Sequence, residues 1–417
     1  MFDYFVNYRA TAGDSFSSDV PTCYDEIVGR DDQREWLGTI QDELKSMAVN
    51  NVWRFVRCPN GIKPLLAKWV FRVKDDADGN PVRHKARLVV KGFLQKHGLD
   101  YADTFAPVAK LATVRTVLAA SVHQGFLIHH MDVKTAFLYG ELKENIYMAV
   151  PDGVKAPPNT VCQLLKSLYG LKQSPRCWNE KFTEKLLKLG FARSQHDYCL
   201  YTKLQDESEI YVVLYVDDLL ICGRRLETIM KLKQQLTTMF AMTDCGDVTH
   251  FLGMRFDYDI KQGSLRLMQE ANIDKLLLPF DMVNCNPVKT PIEERIQLIR
   301  TGEPTTQPYR ELLGSLMYVM LCTRPDICYS IGFFGRFQQN PTTQHWQSLK
   351  RVVRFIKGTR TRCLEYKRTV STEPLVGYVD ADWASDTDDR KSVSGFAFYE
   401  FGNLVSWSSK KQTTVAT

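Results

Sequence analysis

Tyr211-Val-Val-Leu-Tyr-Val-Asp-Asp-Leu-Leu-Ile-Cys-Gly223 decides the fold: two apolar runs rich in Val, Tyr, Ile and Leu meet at Asp217-Asp218. Runs this apolar have no solvent face, so they read as short buried strands with the acidic pair at a hairpin tip. Two carboxylates on the edge of a core raise each other's pKa and lose hydration unless a cation neutralises them. Hard oxygen ligands in this arrangement suit Mg²⁺, which takes one or two carboxylates together with substrate phosphates. The same dipeptide also suits an Asp-rich turn that bonds its own backbone. The rest of the chain decides between the two.

At 417 residues the chain exceeds one compact core and should divide into two or three domains. An apolar content of 44% with 24% charged residues is that of a soluble globular protein and excludes disordered and fibrous classes. No apolar run reaches the length of a membrane span, and the start lacks the pattern of a secretory signal, so an intracellular protein without a membrane partner is expected. Eleven scattered cysteines with no Cys-x-x-Cys pair read as reduced core thiols. A net charge of +6 allows a polyanionic partner without demanding one.

Upstream of the acidic pair, Lys68 to Lys74 and Val82 to Val90 flank Asp78-Gly79-Asn80, a hairpin signal. Alternation puts Trp69, Phe71, Val73, Val82, Ala86, Leu88 and Val90 on one face. Lys68, Arg72, Lys74, Arg83, Lys85 and Arg87 fall on the other, with no acid among them, so that face is either solvated or suited to phosphates. Phe126 to Asp132 reads as a strand ending at an acid, and the backbone N–H groups after it, from Val133 on, could face phosphates. Before it, Thr113 to His123 is a helix stopped by Gly125. Asp31 or Asp32 offers an N-cap to a helix with the stripe Trp36, Leu37, Ile40, Leu44 and Met47. Leu164 to Pro175 is a loop, followed by a helix from Arg176.

Downstream, Leu226 to Phe240 is an amphipathic helix and Phe251 to Phe256 a short strand. Asn284 to Pro308, rich in Pro and Thr, is a linker or crossing segment. Tyr309 to Phe337 is helical with a break at Arg324-Pro325-Asp326, and Thr342 caps a last long helix. On that helix Lys350, Arg354 and Lys357 form a basic stripe, either solvated or tracking a phosphate backbone. Strands and helices interleave without regular βαβ repeats, which argues α+β.

These residues carry a resemblance. Lys85-Ala-Arg-Leu-Val-Val-Lys-Gly92, Met131-Asp-Val-Lys-Thr-Ala-Phe-Leu-Tyr-Gly140, Leu168-Tyr-Gly-Leu-Lys-Gln-Ser-Pro175, Tyr215-Val-Asp-Asp218, Thr323-Arg-Pro-Asp-Ile327 and Asp380-Ala-Asp-Trp-Ala384 stand in one order. Each is weak alone; together they are specific. From about Trp36 to Thr417 the chain resembles the reverse transcriptase region of copia-type retrotransposon Pol polyproteins.

The resemblance implies a right-hand polymerase with fingers, palm and thumb, then a connection region and an incomplete ribonuclease H-like sheet. The implied division is a poorly ordered leader at 1–34, fingers and palm at 35–282, thumb and connection at 283–372, and a truncated ribonuclease H-like segment at 373–417. Asp132, Asp217 and Asp218 would be the palm carboxylates holding two Mg²⁺, or Mn²⁺ in their place. Lys85, Arg87, Val133, Phe137, Tyr169 and Gly170 would meet the incoming deoxynucleoside triphosphate, Phe137 rejecting a 2′-hydroxyl. Phe251, Leu252 and Gly253 would position the primer. The implied partners are an RNA or DNA template with its primer and the remainder of a Pol polyprotein. Tyr139 departs from the family's usual Asn. Asp380 alone can be assigned to ribonuclease H, so that activity is expected to be absent and the chain to be a fragment or decayed copy. A catalytically inactive nucleic-acid-binding remnant is the alternative. A different palm-type transferase would leave Tyr169 to Pro175 unexplained.

Overall fold

The computed structural model describes residues 20–75, 81–205, 208–294, 296, 298–368, 373–384, 386 and 389–414. The side chains of 74, 75, 81–83, 205 and 208 also lie outside the description, and with them the expected turn at Asp78-Gly79-Asn80 and the positions of Lys74, Val82 and Arg83.

The first layer is α1 (Gln33–Val49) against β1 (Trp53–Arg57) and the hairpin of β2 (Ala67–Asp75) and β3 (Pro81–Val90). The hairpin's register pairs Trp69 with Leu88 and Phe71 with Ala86, and on the opposite face Arg72 with Lys85. Period-two alternation therefore sends the apolar face into a core shared with Trp36, Ile40 and Met47. His84, overlooked in the sequence, joins that inner face, its ring edge-on to Trp36 at 4.4 Å between centroids. Asp32 stands at the N-cap of α1 but makes no capping bond; its carboxylate accepts from Arg30 and from the Trp36 indole at 2.8 Å. The expected leader is shorter than 1–34, because Ile27 is buried in this same core and a short helix runs Asp25–Ile27. Residues 1–19 of that leader lie outside the described residues.

Next come α2 (Leu111–Gln124), β4 (Leu127–Val133), β5 (Glu141–Met148), β6 (Thr160–Lys166), α3 (Ser174–Lys188), β7 (Ala192–Arg193), β8 (Leu200–Gln205), β9 (Ser208–Tyr215), β10 (Asp218–Gly223), α4 (Leu226–Met239) and β11 (Met242–Asp247). Gly125 ends α2 in the left-handed region, as its position suggested. The expected loop at Leu164 to Pro175 is narrower: β6 runs through Lys166, which pairs with Glu141 on β5, and α3 starts at Ser174 with Pro175 in its first turn. One sheet has the order β11-β4-β10-β9-β8-β7, and another β1-β6-β5. Leu219, Leu220, Ile221 and Cys222 on β10 are all buried, because β4 and β9 flank the strand and helices cover the sheet. The hairpin tip falls one residue earlier than expected. Val216 and Asp217 form the turn, and Asp218 already pairs with Tyr215.

The remaining elements are β12 (His250–Phe251), β13 (Met254–Asp259), β14 (Ser264–Met268), α5 (Glu270–Leu277), α6 (Tyr309–Cys322), α7 (Cys328–Gly335), α8 (Thr343–Gly358), β15 (Leu364–Lys367), β16 (Leu375–Ala381), β17 (Val393–Glu400) and β18 (Asn403–Lys411). The expected single strand at Phe251 to Phe256 is a hairpin turning at Leu252-Gly253, both with positive φ, which a primed two-residue turn requires. Helices α5 to α8 enclose a second core around Leu312, Leu316, Ile331, Leu349 and Val353. Thr342 caps α8 reciprocally with His345.

Two expected boundaries do not hold as divisions in space. Strand β15, from the segment assigned to 283–372, pairs with β14 and completes the order β12-β13-β14-β15. Strand β18 packs on α2, and Val405 lies in the core of the β4–β10 sheet. Strand pairing at this distance leaves no local mark in a sequence, since a strand's pattern shows which face is buried and not its neighbour. The basic stripe of α8 is neither solvated nor open to phosphates throughout. Arg354 donates to the Asn286 carbonyl at 2.6 Å, and Lys357 to those of Val283 and Cys285 at 2.6 and 2.7 Å. Of the cysteines expected in the core, Cys162, Cys177, Cys199, Cys222 and Cys322 are buried, whereas Cys23 and Cys245 are exposed. Among the described residues no helix is long and apolar enough to cross a membrane.

Candidate active site

Strands β4 and β10 run antiparallel in a register that sets Asp132 directly opposite Asp218. Residues so paired have Cβ atoms roughly 4.5–5.5 Å apart, which brings the two carboxyls onto one face of the sheet. Asp217 occupies the adjoining turn, and all three side chains are half-buried. Burial, then the charges of Asp217 and Asp218, push the Asp132 carboxyl above its usual range; Lys85 and His130 partly offset this. His130, two residues before Asp132 and on the same face, lies 3.0 Å from Asp218 through Nε2. Its ring meets Phe251 edge-on at 5.7 Å, so the β12–β13 hairpin is apposed to the acidic face.

The turn that carries Asp217 is strained. Val216 has φ +58°, a region that β-branched residues rarely adopt and that costs on the order of 1–3 kcal/mol. Two contacts hold it: the Trp178 indole donates to the Val216 carbonyl at 2.6 Å, and the Val133 N–H donates to the Asp217 carbonyl at 2.7 Å. This corrects the expectation that N–H groups after Asp132 are open to phosphates. The Val133 N–H is used by the turn, that of Lys134 donates to Ala241, and the Val133 side chain is buried.

A second group of side chains faces this acidic edge. The Arg87 guanidinium lies over the Tyr169 ring, 4.9 Å from its centroid, and the Tyr169 ring meets that of Phe137 edge-on at 5.1 Å. Gly170 has φ +91°, and a Cβ there would stand 2.1 Å from the Val90 carbonyl oxygen; only glycine permits this approach of loop to hairpin. The Val90 N–H donates to the Tyr169 carbonyl at 2.8 Å, which fixes β3 to the loop. The backbone of the turn at Leu252-Gly253 is held by the Tyr318 hydroxyl on the Leu252 carbonyl and by Asn272 on that of Gly253 at 2.7 Å. Tyr139, the departure from the family pattern, accepts from the Ala241 N–H at 2.7 Å and packs on Phe240.

The structure thus gathers Asp132, Asp217, Asp218, Lys85, Arg87, Phe137, Tyr169 and Gly170 around one edge, with Phe251, Leu252 and Gly253 beside it. Asp380 stands apart on β16, exposed, its carboxylate accepting from the Ala381 N–H at 2.8 Å. Asp386 is buried, 2.6 Å from both Arg336 and Lys411. Sequence reasoning missed His130, Val216 and Trp178. Only the two histidines ahead of Asp132 gave a signal, and a strand's alternation picks the one that shares its face.

Residues 50–294 match the family model described as reverse transcriptase (RNA-dependent DNA polymerase). The chain is 40% identical over 409 residues to the retrovirus-related Pol polyprotein from transposon TNT 1-94 of Nicotiana tabacum, covering 95% of this chain and 31% of that protein. It is 38% identical over 386 residues to the corresponding polyprotein from transposon RE1 of Arabidopsis thaliana, covering 91% and 26%. A putative transposon Ty5-1 protein of Saccharomyces cerevisiae is 34% identical over 286 residues, 67% of this chain and 92% of that protein. The chain therefore spans about a third or less of the two plant polyproteins. By these matches and by the motifs it carries, the chain belongs to the reverse transcriptase (RNA-dependent DNA polymerase) family, in the branch found in copia-type retrotransposon Pol polyproteins.

Proposed function

We propose that this chain is an RNA-directed DNA polymerase that extends a primer with deoxynucleoside triphosphates. The observation that carries the reading is the direct register of Asp132 with Asp218 beside a strained turn presenting Asp217. In this reading the β4–β10 sheet is the palm, the β2–β3 hairpin belongs to the fingers, and α6 to α8 form the thumb and connection region.

Reverse transcriptases use divalent metals, and the donor set here fits them. Three carboxyls crowd one edge, and their repulsion, visible at Asp132, is what a divalent cation relieves. Among the described residues no three ligating side chains are already gathered as a cage. Mg²⁺ does not need one, since it completes its octahedron with water and substrate phosphates. Asp132, Asp217 and Asp218 would hold two Mg²⁺, which when bound lower the pKa of the primer 3′-hydroxyl and stabilise the departing pyrophosphate. The protein supplies no nucleophile. Lys85 and Arg87 neutralise triphosphate charge, Phe137 excludes a 2′-hydroxyl by contact, and Tyr169 with Gly170 packs against the nucleotide. The Leu252-Gly253 turn supports the primer end. No ribonuclease H step is assigned to Asp380: Asp382, two residues on, accepts from the Val393 N–H at 2.9 Å, and Asp386 is paired with two cations.

Primer extension on an RNA template with purified chain and Mg²⁺ tests the reading. Asp217→Asn is expected to abolish extension while leaving template binding near wild type, because a carboxylate is not a phosphate contact. Binding without extension by the wild-type chain would move it to the non-catalytic class. Equal loss of binding in the variant would assign Asp217 a folding role.

A further inference from the structure

On β4 the side chains of Ile128, His130 and Asp132 alternate onto one face. In the antiparallel register His130 stands opposite Leu220, two residues past Asp218 on β10. Diagonal neighbours across a strand pair are within reach of a long side chain, and His130 makes that reach: its Nε2 lies 3.0 Å from Oδ1 of Asp218. An ionised carboxylate only accepts, so Nε2 carries a proton and donates, whether the ring is neutral or charged. The two side chains are 15% and 14% exposed, so water competes little for this bond. The ring also meets Phe251 edge-on, 5.7 Å between centroids, and turning it would break both contacts.

A hydrogen bond of this kind restricts how a carboxylate can ligate. With Oδ1 engaged by His130 the group is fixed in orientation, and swinging it to grip a cation through both oxygens would distort the bond. Mg²⁺ accepts such a ligand, since it asks for strict octahedral geometry and fills its remaining positions with water and phosphates. Ca²⁺ is larger, takes roughly six to eight oxygens and uses bidentate carboxylates readily, so it gains most where a carboxylate can turn. The two ions carry the same charge, and the choice between them rests on the number and rigidity of the ligands. We infer that His130 is a positioning residue for the metal site: by holding Asp218 through Oδ1 it fixes that carboxylate as a one-oxygen ligand and biases the acidic edge toward Mg²⁺ over Ca²⁺. The inference rests on the polymerase reading and deepens it.

Metal preference can be read without turnover. A primer ending in a dideoxynucleotide, annealed to an RNA template, is mixed with the chain and the next complementary deoxynucleoside triphosphate. The complex that survives a heparin challenge is then measured as Mg²⁺ or Ca²⁺ is titrated. Wild type is compared with His130→Leu, His130→Phe and His130→Gln. Leu and Phe fill the space without a donor, whereas the Gln amide can place an N–H near the position of Nε2. In both donorless variants the Mg²⁺ concentration for half-saturation is expected to rise roughly tenfold, the size of a lost outer-shell partner, while that for Ca²⁺ changes less than about threefold. His130→Gln should keep the wild-type ratio of the two. Primer–template binding without metal should be the same in every variant, which separates the effect from folding. A ratio unchanged in both donorless variants, or shifted as far in His130→Gln, would overturn the inference, and so would a shift that comes with loss of metal-free binding. A wild-type chain that retains no nucleotide with either ion would instead overturn the polymerase reading.

Discussion

Phe137 shows what a single side chain can be asked to do. Its ring stands edge-on to Tyr169 a few residues beyond Asp132 and is half-buried; in the polymerase reading it is the side chain that a sugar would meet. Phe137→Val is expected to admit ribonucleotides while deoxynucleotide use falls less, measured as the ratio of kcat/KM for the two sugars. Excluding one hydroxyl by steric contact is worth about 1–3 kcal/mol, so the ratio should shift roughly ten- to two-hundredfold. An unchanged ratio would make Phe137 core packing. At this scale the sequence singled out Asp132, Asp217 and Asp218, which the structure brings to one edge, because acids next to apolar runs are conspicuous against the core they interrupt. It did not reveal His130 or Trp178, whose partners are 88 and 38 residues away. It misjudged Val133 because an N–H group's availability depends on a turn that only the paired strands create.

Among elements, α8 is the instructive case. Its apolar face and Thr342 cap were legible from helical periodicity, and so was the basic stripe, but what the stripe contacts was not. Lys357 and Arg354 hold the crossing segment at residues 283–286 by its carbonyls, a partner that has no periodicity of its own. Lys357→Ala is accordingly expected to lower stability by about 1–2 kcal/mol, below the full value of two charge-assisted bonds because the head group is partly solvated. Urea denaturation measures the first quantity, and a template-binding isotherm should be unchanged. Weaker binding at unchanged stability would return the stripe to a phosphate-tracking role. The hairpins were more legible than the sheets they join. Alternation fixes a strand's faces, whereas pairing such as β14 with β15 depends on segments about 100 residues apart.

At the scale of the molecule, the C-terminal sheet is docked on the rest through buried polar groups. Glu400, at the end of β17, is half-buried, its Oε2 lacks a partner among the described residues, and burial pushes its carboxyl up to about 7. An acid whose folded pKa lies above its unfolded value near 4.5 binds more protons when folded. Its contribution is therefore most favourable below about 4.5 and is lost as pH rises toward about 7. Glu400→Gln is expected to raise stability at pH 8 by roughly 1–3 kcal/mol and to change it little at pH 4.5, read from denaturation midpoints at the two values. A gain that does not depend on pH would place the effect in packing. Part of this sheet stays open, since Trp383 is 86% exposed and Val379 77%, whereas Phe398 and Trp407 pack on the central core.

Arg115 of α2 is buried, stacked 3.8 Å from the Trp407 ring centroid, and it donates to the carbonyls of Leu321 and Val405. A growing chain leaves the ribosome from its N-terminus, so α2 and the sheet beneath it emerge some 290 residues before the second of those acceptors. Until then a guanidinium destined for the interior must stay in water, and α2 cannot settle. Completion of the α2 layer is thus coupled to β18, which is made some 290 residues later. A fragment of residues 20–294 should accordingly be protease-sensitive around 111–124, and adding residues 295–417 as a separate chain should restore protection; a fragment resistant by itself would break this coupling.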